Sequence, residues 1–198
     1  WLETMKKAVE LAPQHLSCYT LTFEPGTLLT RRLAQGKLPP VESDQQWEQL
    51  DLASKFLADA GYCRYEVSNW SQPGRESRHN LAYWGCEPVY GAGAGAHSYA
   101  TDGSSAWRWW DVALPRDYIA ASARALPVED GEVLEPAKAR AEATMLALRT
   151  TRGISVKQPI PKALRDLTGA GLLEVSGDRL VPTRRGLDLH NQIALALL

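Results

Sequence analysis

Apolar residues in the first part of the chain recur with periods that alternate between helix and strand. Residues 1–12 place their apolar side chains on one helical face, and residues 15–23 (HLSCYTLTF) have the β-branched and aromatic character of a buried strand. EPGT at residues 24–27 predicts a turn, with Thr27 capping the helix that follows. Helix, strand, turn and helix in this order favour an α/β fold with a parallel sheet. Glu24 lies at a strand end, where functional groups of such sheets gather, although an acid there is more often a turn residue.

The alternation continues through the middle of the chain. Some segments repeat with the helical period, and others alternate with a period of two or are rich in aromatic residues. These patterns predict helices over residues 43–60, 79–84, 115–125 and 135–149, and strands over residues 62–70, 89–99 and 108–110.

Residues 151–198 have a pattern of their own. A short helix, two strands joined by a turn at Gly177 and Asp178, and a final helix capped by Thr183 have the outline of a winged-helix module. Arg184 and Arg185 lie in the first turn of the last helix, where positive charge is slightly unfavourable, so an acidic ligand is one interpretation. A solvated face on a small packing domain is the other, and the pattern favours it.

Composition narrows the function classes. The net charge of −1 gives no general attraction to nucleic acid, so we expect no nucleic-acid partner. The odd number of widely spaced cysteines, Cys18, Cys63 and Cys86, fits neither a disulfide framework nor a CxxC metal site, which favours a reducing cytoplasm. The chain opens at Trp1 directly into a helical pattern, so we interpret it as a piece of a longer protein.

The most unusual stretch is RHNLAYWGCEPVYGAGAGAHSY at residues 78–99. Its histidines and aromatic side chains can grip a flat, conjugated ligand, or they can hydrogen-bond backbone and fill core. The GAGAGA segment lacks the lysine of a P-loop and the strand–GxGxxG–helix context of a dinucleotide site. Its alternation instead predicts a strand whose bare face lets a cofactor or another backbone come close.

Three motifs carry a resemblance to a known family. YEVSNW (65–70), RHNLAYW (78–84) and YGAGAGAHSY (90–99) resemble the C-terminal half of HemW-like radical SAM haem chaperones, which are related to oxygen-independent coproporphyrinogen III oxidase. HLSCYTLTFEPGT (15–27) is similar to the family's last barrel strand and its following turn, so the resemblance extends over essentially the whole chain. HNxxYW is the most specific of these motifs, because it is similar to the chaperones and separates them from the oxidase.

The resemblance implies a divided α/β architecture. Residues 1–61 correspond to the last βα units of a partial radical SAM (β/α) barrel. Residues 62–132 form an α+β region with the HNxxYW and GxGxGAHS motifs, and residues 133–198 form a helical, winged-helix-like C-terminal domain.

The resemblance also implies a haem site and contacts to S-adenosylmethionine. His79 is the candidate iron ligand, Tyr83 or Trp84 the candidate ring contact, and Asn80 the orienting residue. Arg75 and Arg78 are candidates for the propionates, and Cys86 is a second candidate ligand that is better interpreted as an inert buried thiol. The candidate contacts to S-adenosylmethionine are Thr22, Gly93, Gly95 and His97.

The chain departs from the family at the iron–sulfur motif. HemW-like proteins hold a [4Fe–4S] cluster with a CxxxCxxC triad, and no three cysteines here have that spacing. We therefore expect this chain to hold no cluster and to perform no radical chemistry by itself, because the cluster and the first barrel strands belong upstream.

These observations predict the C-terminal half of a haem chaperone that binds haem and, in the intact protein, uses the cluster and S-adenosylmethionine in haem delivery. A coproporphyrinogen oxidase-like radical SAM enzyme is the alternative. The expected partners are haem and a protein that donates or accepts it, while homodimer formation and peripheral membrane association stay open.

Overall fold

The structure, a computed structural model, describes residues 1–156 and 158–198. It has a mixed α/β fold with three small sheets, each of three strands. The chain divides into two units, residues 1–76 and residues 77–198. No helix of the described residues is long and apolar enough to cross a membrane.

The first unit contains three helices and a small sheet of order β1-β3-β2. Its buried core includes Leu57 and Trp70, which are almost fully shielded from solvent. Thr27 caps the second helix as predicted, its Oγ accepting a hydrogen bond from Thr30 N at 3.2 Å. The elements are α1 (Leu2–Glu10), β1 (His15–Ser17), α2 (Leu28–Ala34), α3 (Ser43–Asp59), β2 (Cys63–Arg64) and β3 (Asn69–Ser71).

Two predictions for this unit are wrong. The strand expected over residues 15–23 ends at Ser17, because β3, its pairing partner, is only three residues long. Every strand pairing among the described residues is antiparallel, so the parallel sheet is not formed.

The strand expected over residues 62–70 is a hairpin. β2 and β3 pair antiparallel, and the buried Glu66 lies in the connection between them. Its carboxylate accepts hydrogen bonds from Ser68 N at 2.6 Å and Asn69 Nδ2 at 2.5 Å. Asn69 in turn accepts a hydrogen bond from Ser17 Oγ on β1. The hydrogen bonds to the buried Glu66 carboxylate therefore stabilise a turn within the segment predicted to be one strand.

The second unit contains two further sheets, of order β4-β5-β6 and β7-β9-β8. Buried leucines around Leu148 and Ile193 form the core beside the last sheet. The elements are α4 (Arg78–Trp84), β4 (His97–Thr101), β5 (Ala106–Asp111), α5 (Pro115–Ser122), β6 (Val128–Leu134), α6 (Pro136–Ala147), β7 (Ile154–Ser155), α7 (Lys162–Gly169), β8 (Leu173–Ser176), β9 (Arg179–Pro182), α8 (Arg184–Asp188) and α9 (His190–Leu197).

The helix expected at residues 79–84 and the hairpin around Gly177 are confirmed, and Thr183 Oγ accepts from Gly186 N at 3.0 Å as a cap. The last helix is divided, because Leu189 leaves the helical region at φ −110° and ψ 29°. The strand expected over residues 89–99 is also wrong: β4 begins only at His97, and Val89 meets Tyr99 as an isolated bridge. The intervening glycine segment is a turn.

Candidate functional site

α4 carries the HNLAYW motif and begins at a well-formed cap. Ser77 Oγ accepts a hydrogen bond from Asn80 N at 3.2 Å, which satisfies one of the free N–H groups of the first turn. The helix extends for seven residues and ends at Gly85. The cap therefore fixes the start of the helix one residue before Arg78.

The other end of α4 closes in a Schellman arrangement. Cys86 N donates to Tyr83 O at 3.1 Å, and Glu87 N donates to Ala82 O at 2.9 Å. Cys86 has φ +52°, the left-handed conformation that this motif requires and that glycine usually supplies. The side chain of Cys86 is therefore set immediately after the helix by an uncommon backbone conformation.

His79 and Tyr83 lie on the same face of α4. Their ring centroids are 4.9 Å apart and the rings meet edge to face, as the helical spacing predicts. His79 is exposed, and Tyr83 is 39% exposed. An accessible imidazole with an aromatic ring at its side can ligate a metal and support a flat ligand.

Trp84 faces the body of the unit. The guanidinium carbon of Arg149, just after α6, lies 4.3 Å from the centroid of the indole ring, within the range of a cation–π contact. The Nε1 atom of Trp84 is buried and has no hydrogen-bond partner among the described residues. The contact between Trp84 and Arg149 thus packs α4 against the segment that follows α6.

A cavity of about 110 Å³ lies between the end of α4, the β4-β5-β6 sheet and α6. Tyr83 and Cys86 line it from α4, Tyr99 and Arg108 from neighbouring strands, and Glu142 from α6. Tyr99 and Arg108 share one face of the sheet because they are register partners on β4 and β5. The cavity thus adjoins the same helix that carries His79.

Charges around the cavity are linked through Arg108. Its guanidinium bonds Glu142 Oε2 at 3.1 Å and Glu132 Oε1 at 2.5 Å. Burial raises the pKa of the Cys86 thiol, the negative charge of Glu142 raises it further, and a hydrogen bond with Tyr99 offsets part of the change. Burial likewise raises the pKa of Tyr99, with Cys86 and Glu142 adding to the effect. Both groups therefore hold their protons at neutral pH.

The glycine turn brings backbone close to backbone at one position. A Cβ on Gly91 would collide with the carbonyl of His97, so only glycine fits there. Gly93 and Gly95 have positive φ, and their N–H groups donate to Tyr118 Oη at 3.1 Å and Val112 O at 3.0 Å. The turn is held by hydrogen bonds of its own unit.

The remaining predicted site residues lie in different parts of the chain. His97 begins β4, is exposed, and has its ring centroid 5.7 Å from that of Trp110. Thr22 and Arg75 are exposed in the first unit, whereas Arg78 is exposed in the second.

Sequence reasoning missed the cavity, because its walls come from three distant segments. A partial signal was present: Ala139, Glu142 and Leu146 recur at helical spacing on α6, and all three line the cavity. Among the described residues, no group of three or more histidine, cysteine or acidic side chains is placed to hold a metal ion.

Comparison with known proteins gives matches along the whole chain. The family described as the HemN C-terminal domain matches residues 134–189. The haem chaperone HemW of Mycobacterium tuberculosis is 37% identical over the full chain, and that of Bacillus subtilis is 30% identical over 98% of it. The chain spans about half the length of these relatives, 50% and 54% respectively.

Among solved structures, the chain resembles coproporphyrinogen III oxidase (HemN) from Escherichia coli, described as a radical SAM enzyme. The TM-score is 0.70 over 99% of this chain and 50% of that one, at 18% identity, which shows likeness of fold.

These findings show likeness to the HemN- and HemW-related proteins. The haem chaperones named HemW are similar along the whole chain, as the motifs predict, and the chain covers about half the length of each.

Proposed function

We propose that the chain is the C-terminal half of a haem chaperone and that it binds haem on the outer face of α4. The observation that carries the proposal is the exposed His79 imidazole, edge-on to Tyr83 at 4.9 Å on a capped helix. The relatives named haem chaperones, similar along the whole chain, support it.

In this proposal each residue of the motif has a separate task. His79 would supply an imidazole nitrogen to the iron, and Tyr83 would pack beside the macrocycle. Asn80, half-buried one residue after His79, orients the site, and Trp84 holds the helix against Arg149. Bound haem would supply a redox-active iron centre, and His79, Tyr83 and Asn80 would bind and orient it.

The 110 Å³ cavity is too small for the macrocycle, since pockets for drug-sized ligands are roughly 300–1,000 Å³. We therefore place the haem on the surface of α4, where the exposed side chain of Arg78 suits a propionate.

We further infer that the intact protein completes a partial radical SAM barrel of which residues 1–61 are the end. Thr22, Gly93, Gly95 and His97 would then contact S-adenosylmethionine bound at a [4Fe–4S] cluster held by upstream cysteines. Residues 62–132 form the region that carries both motifs, and residues 133–198 form the winged-helix-like domain. Haem delivery to an acceptor protein in the cytoplasm is the role that this assembly suits.

The test is a haem titration of the chain, comparing the wild type with His79→Ala by absorbance. We expect the wild type to show a shifted Soret band and His79→Ala to bind about tenfold or more weakly with a changed band, because the axial ligand is lost.

His97→Ala is the matched control, since it also removes an exposed histidine of the same unit. It should leave the spectrum unchanged. Identical spectra for wild type and His79→Ala would overturn the ligand assignment.

A further inference from the structure

The cavity beneath α4 has a composition that the haem site does not use. Two phenol rings, a thiol and apolar side chains of β6 and α6 form its walls, and two carboxylates and one guanidinium supply its charge. The charged members are Glu87, Glu142 and Arg108, so the lining is one negative charge in excess.

We propose that this cavity is a binding site for a primary alkylammonium group, with the short aliphatic stem of the ligand on its apolar wall. The inference does not rest on haem binding, because none of it requires His79. The stem would pack on Leu134, Ala139 and Leu146, and the ammonium would lie near Glu142.

The polar groups of the cavity suit an ammonium. An ammonium has three donors and no acceptor, and the carboxylates of Glu87 and Glu142 and the phenol oxygen of Tyr99 are acceptors. The rings of Tyr83 and Tyr99 add the attraction of aromatic π-electrons for a cation. The Glu142 carboxylate, only 16% accessible, is desolvated enough to strengthen a charged hydrogen bond.

Other ligand classes fit less well. An anion would meet the excess negative charge, and the volume of about 110 Å³ admits a single short chain rather than a ring system. Because Arg108 already donates to Oε2 of Glu142, the carboxylate can bind a compact ammonium more readily than a second, planar guanidinium group that needs both oxygens. The raised pKa of Cys86 keeps the thiol protonated, which disfavours a soft metal ion.

Cys86 offers a direct measure of occupancy, because its thiol lines the cavity. In a Cys63→Ser background, which removes the exposed thiol, the rate of Cys86 alkylation by iodoacetamide is measured with increasing n-butylammonium chloride. We expect the amine to slow alkylation severalfold in a saturable manner. Sodium butyrate, of matched length and opposite charge, should give no protection.

Two variants and a control locate the effect. Glu142→Gln and Glu87→Gln should each weaken protection by about tenfold or more, because each removes a charged acceptor. Glu129→Gln, an exposed acid on β6 outside the cavity, should leave protection unchanged. Glu87 is exposed, and its carboxylate forms no hydrogen bond or ion pair with another described residue, so its variant tests the site even if Glu142→Gln is unstable.

A second probe, Nα-acetyl-lysine N-methylamide, distinguishes two sources of the group. Protection by both probes assigns the cavity to a lysine side chain of a partner protein, whereas protection by n-butylammonium alone assigns it to a free amine. Equal protection by butyrate, absence of protection by both amines, or unchanged protection in every variant that folds would overturn the proposal.

Discussion

Two residues, Glu66 and Cys86, have unusual surroundings, and at Glu66 the structure differs from the strand that the sequence predicts. Glu66 is fully buried and is satisfied by Ser68 N and the Asn69 amide, which turns an expected strand into a hairpin. A buried carboxylate needs such partners, because an unpaired buried charge costs several kcal/mol. Cys86 is the second such residue: its backbone is left-handed and its thiol is desolvated.

The desolvated thiol should titrate above the ordinary range of a cysteine. Because burial and Glu142 raise its pKa, the reactive thiolate forms only at higher pH, and the alkylation rate of Cys86 should reach its midpoint at a higher pH than that of free cysteine. The measurement is the rate of iodoacetamide reaction against pH in the Cys63→Ser variant. Glu142→Gln should move the midpoint down, and a midpoint at or below that of free cysteine would contradict the assigned burial.

At the scale of elements, the sequence predicts a helix correctly where the periodicity and the capping residue of that helix are sufficient to define it. The helical period predicted α3 and α6, and the Ser/Thr cap logic placed Thr27 and Thr183 correctly. β6 was missed because VEDGEVL forms an edge strand with mostly exposed side chains, so no alternation marks it. The cavity was missed for a related reason, since its lining depends on the register between β4 and β5 rather than on any one segment.

The cap of α4 should contribute measurably to stability. Ser77→Ala removes the acceptor for Asn80 N and should lower the free energy of unfolding by about 1 kcal/mol, measured by urea denaturation. Haem affinity should fall with it, because the start of the helix that carries His79 frays.

Ser77→Asp restores a capping oxygen and places a negative charge at the helix start, so it should recover the lost stability. Equal losses in Ser77→Ala and Ser77→Asp would show that the hydroxyl acts elsewhere.

At the scale of the whole molecule, each unit has a core of its own. Leu57 and Trp70 are central to the first, and Leu148, Leu173 and Ile193 to the second. The chain reaches only half the length of its HemW relatives, yet both cores are closed around almost fully buried side chains. Stability should therefore be distributed by unit.

Truncation of one core should be felt chiefly within its own unit. Leu57→Ala and Leu148→Ala each remove a fully buried side chain and should cost about 2–5 kcal/mol locally. Hydrogen exchange should show lost amide protection in residues 1–76 for the first variant and in residues 77–198 for the second. Uniform loss across the chain in both variants would show a single cooperative structure instead.

The sequence order Gly85-Cys86 at the end of α4 has a consequence for protein engineering. Glycine is the residue best suited to the left-handed position, yet here it precedes that position and a cysteine occupies it. An engineer who wished to stabilise this helix end would replace Cys86 by glycine, and the cavity would then lose its thiol. Cys86→Gly should therefore stabilise the helix end and at the same time remove the thiol from the cavity wall.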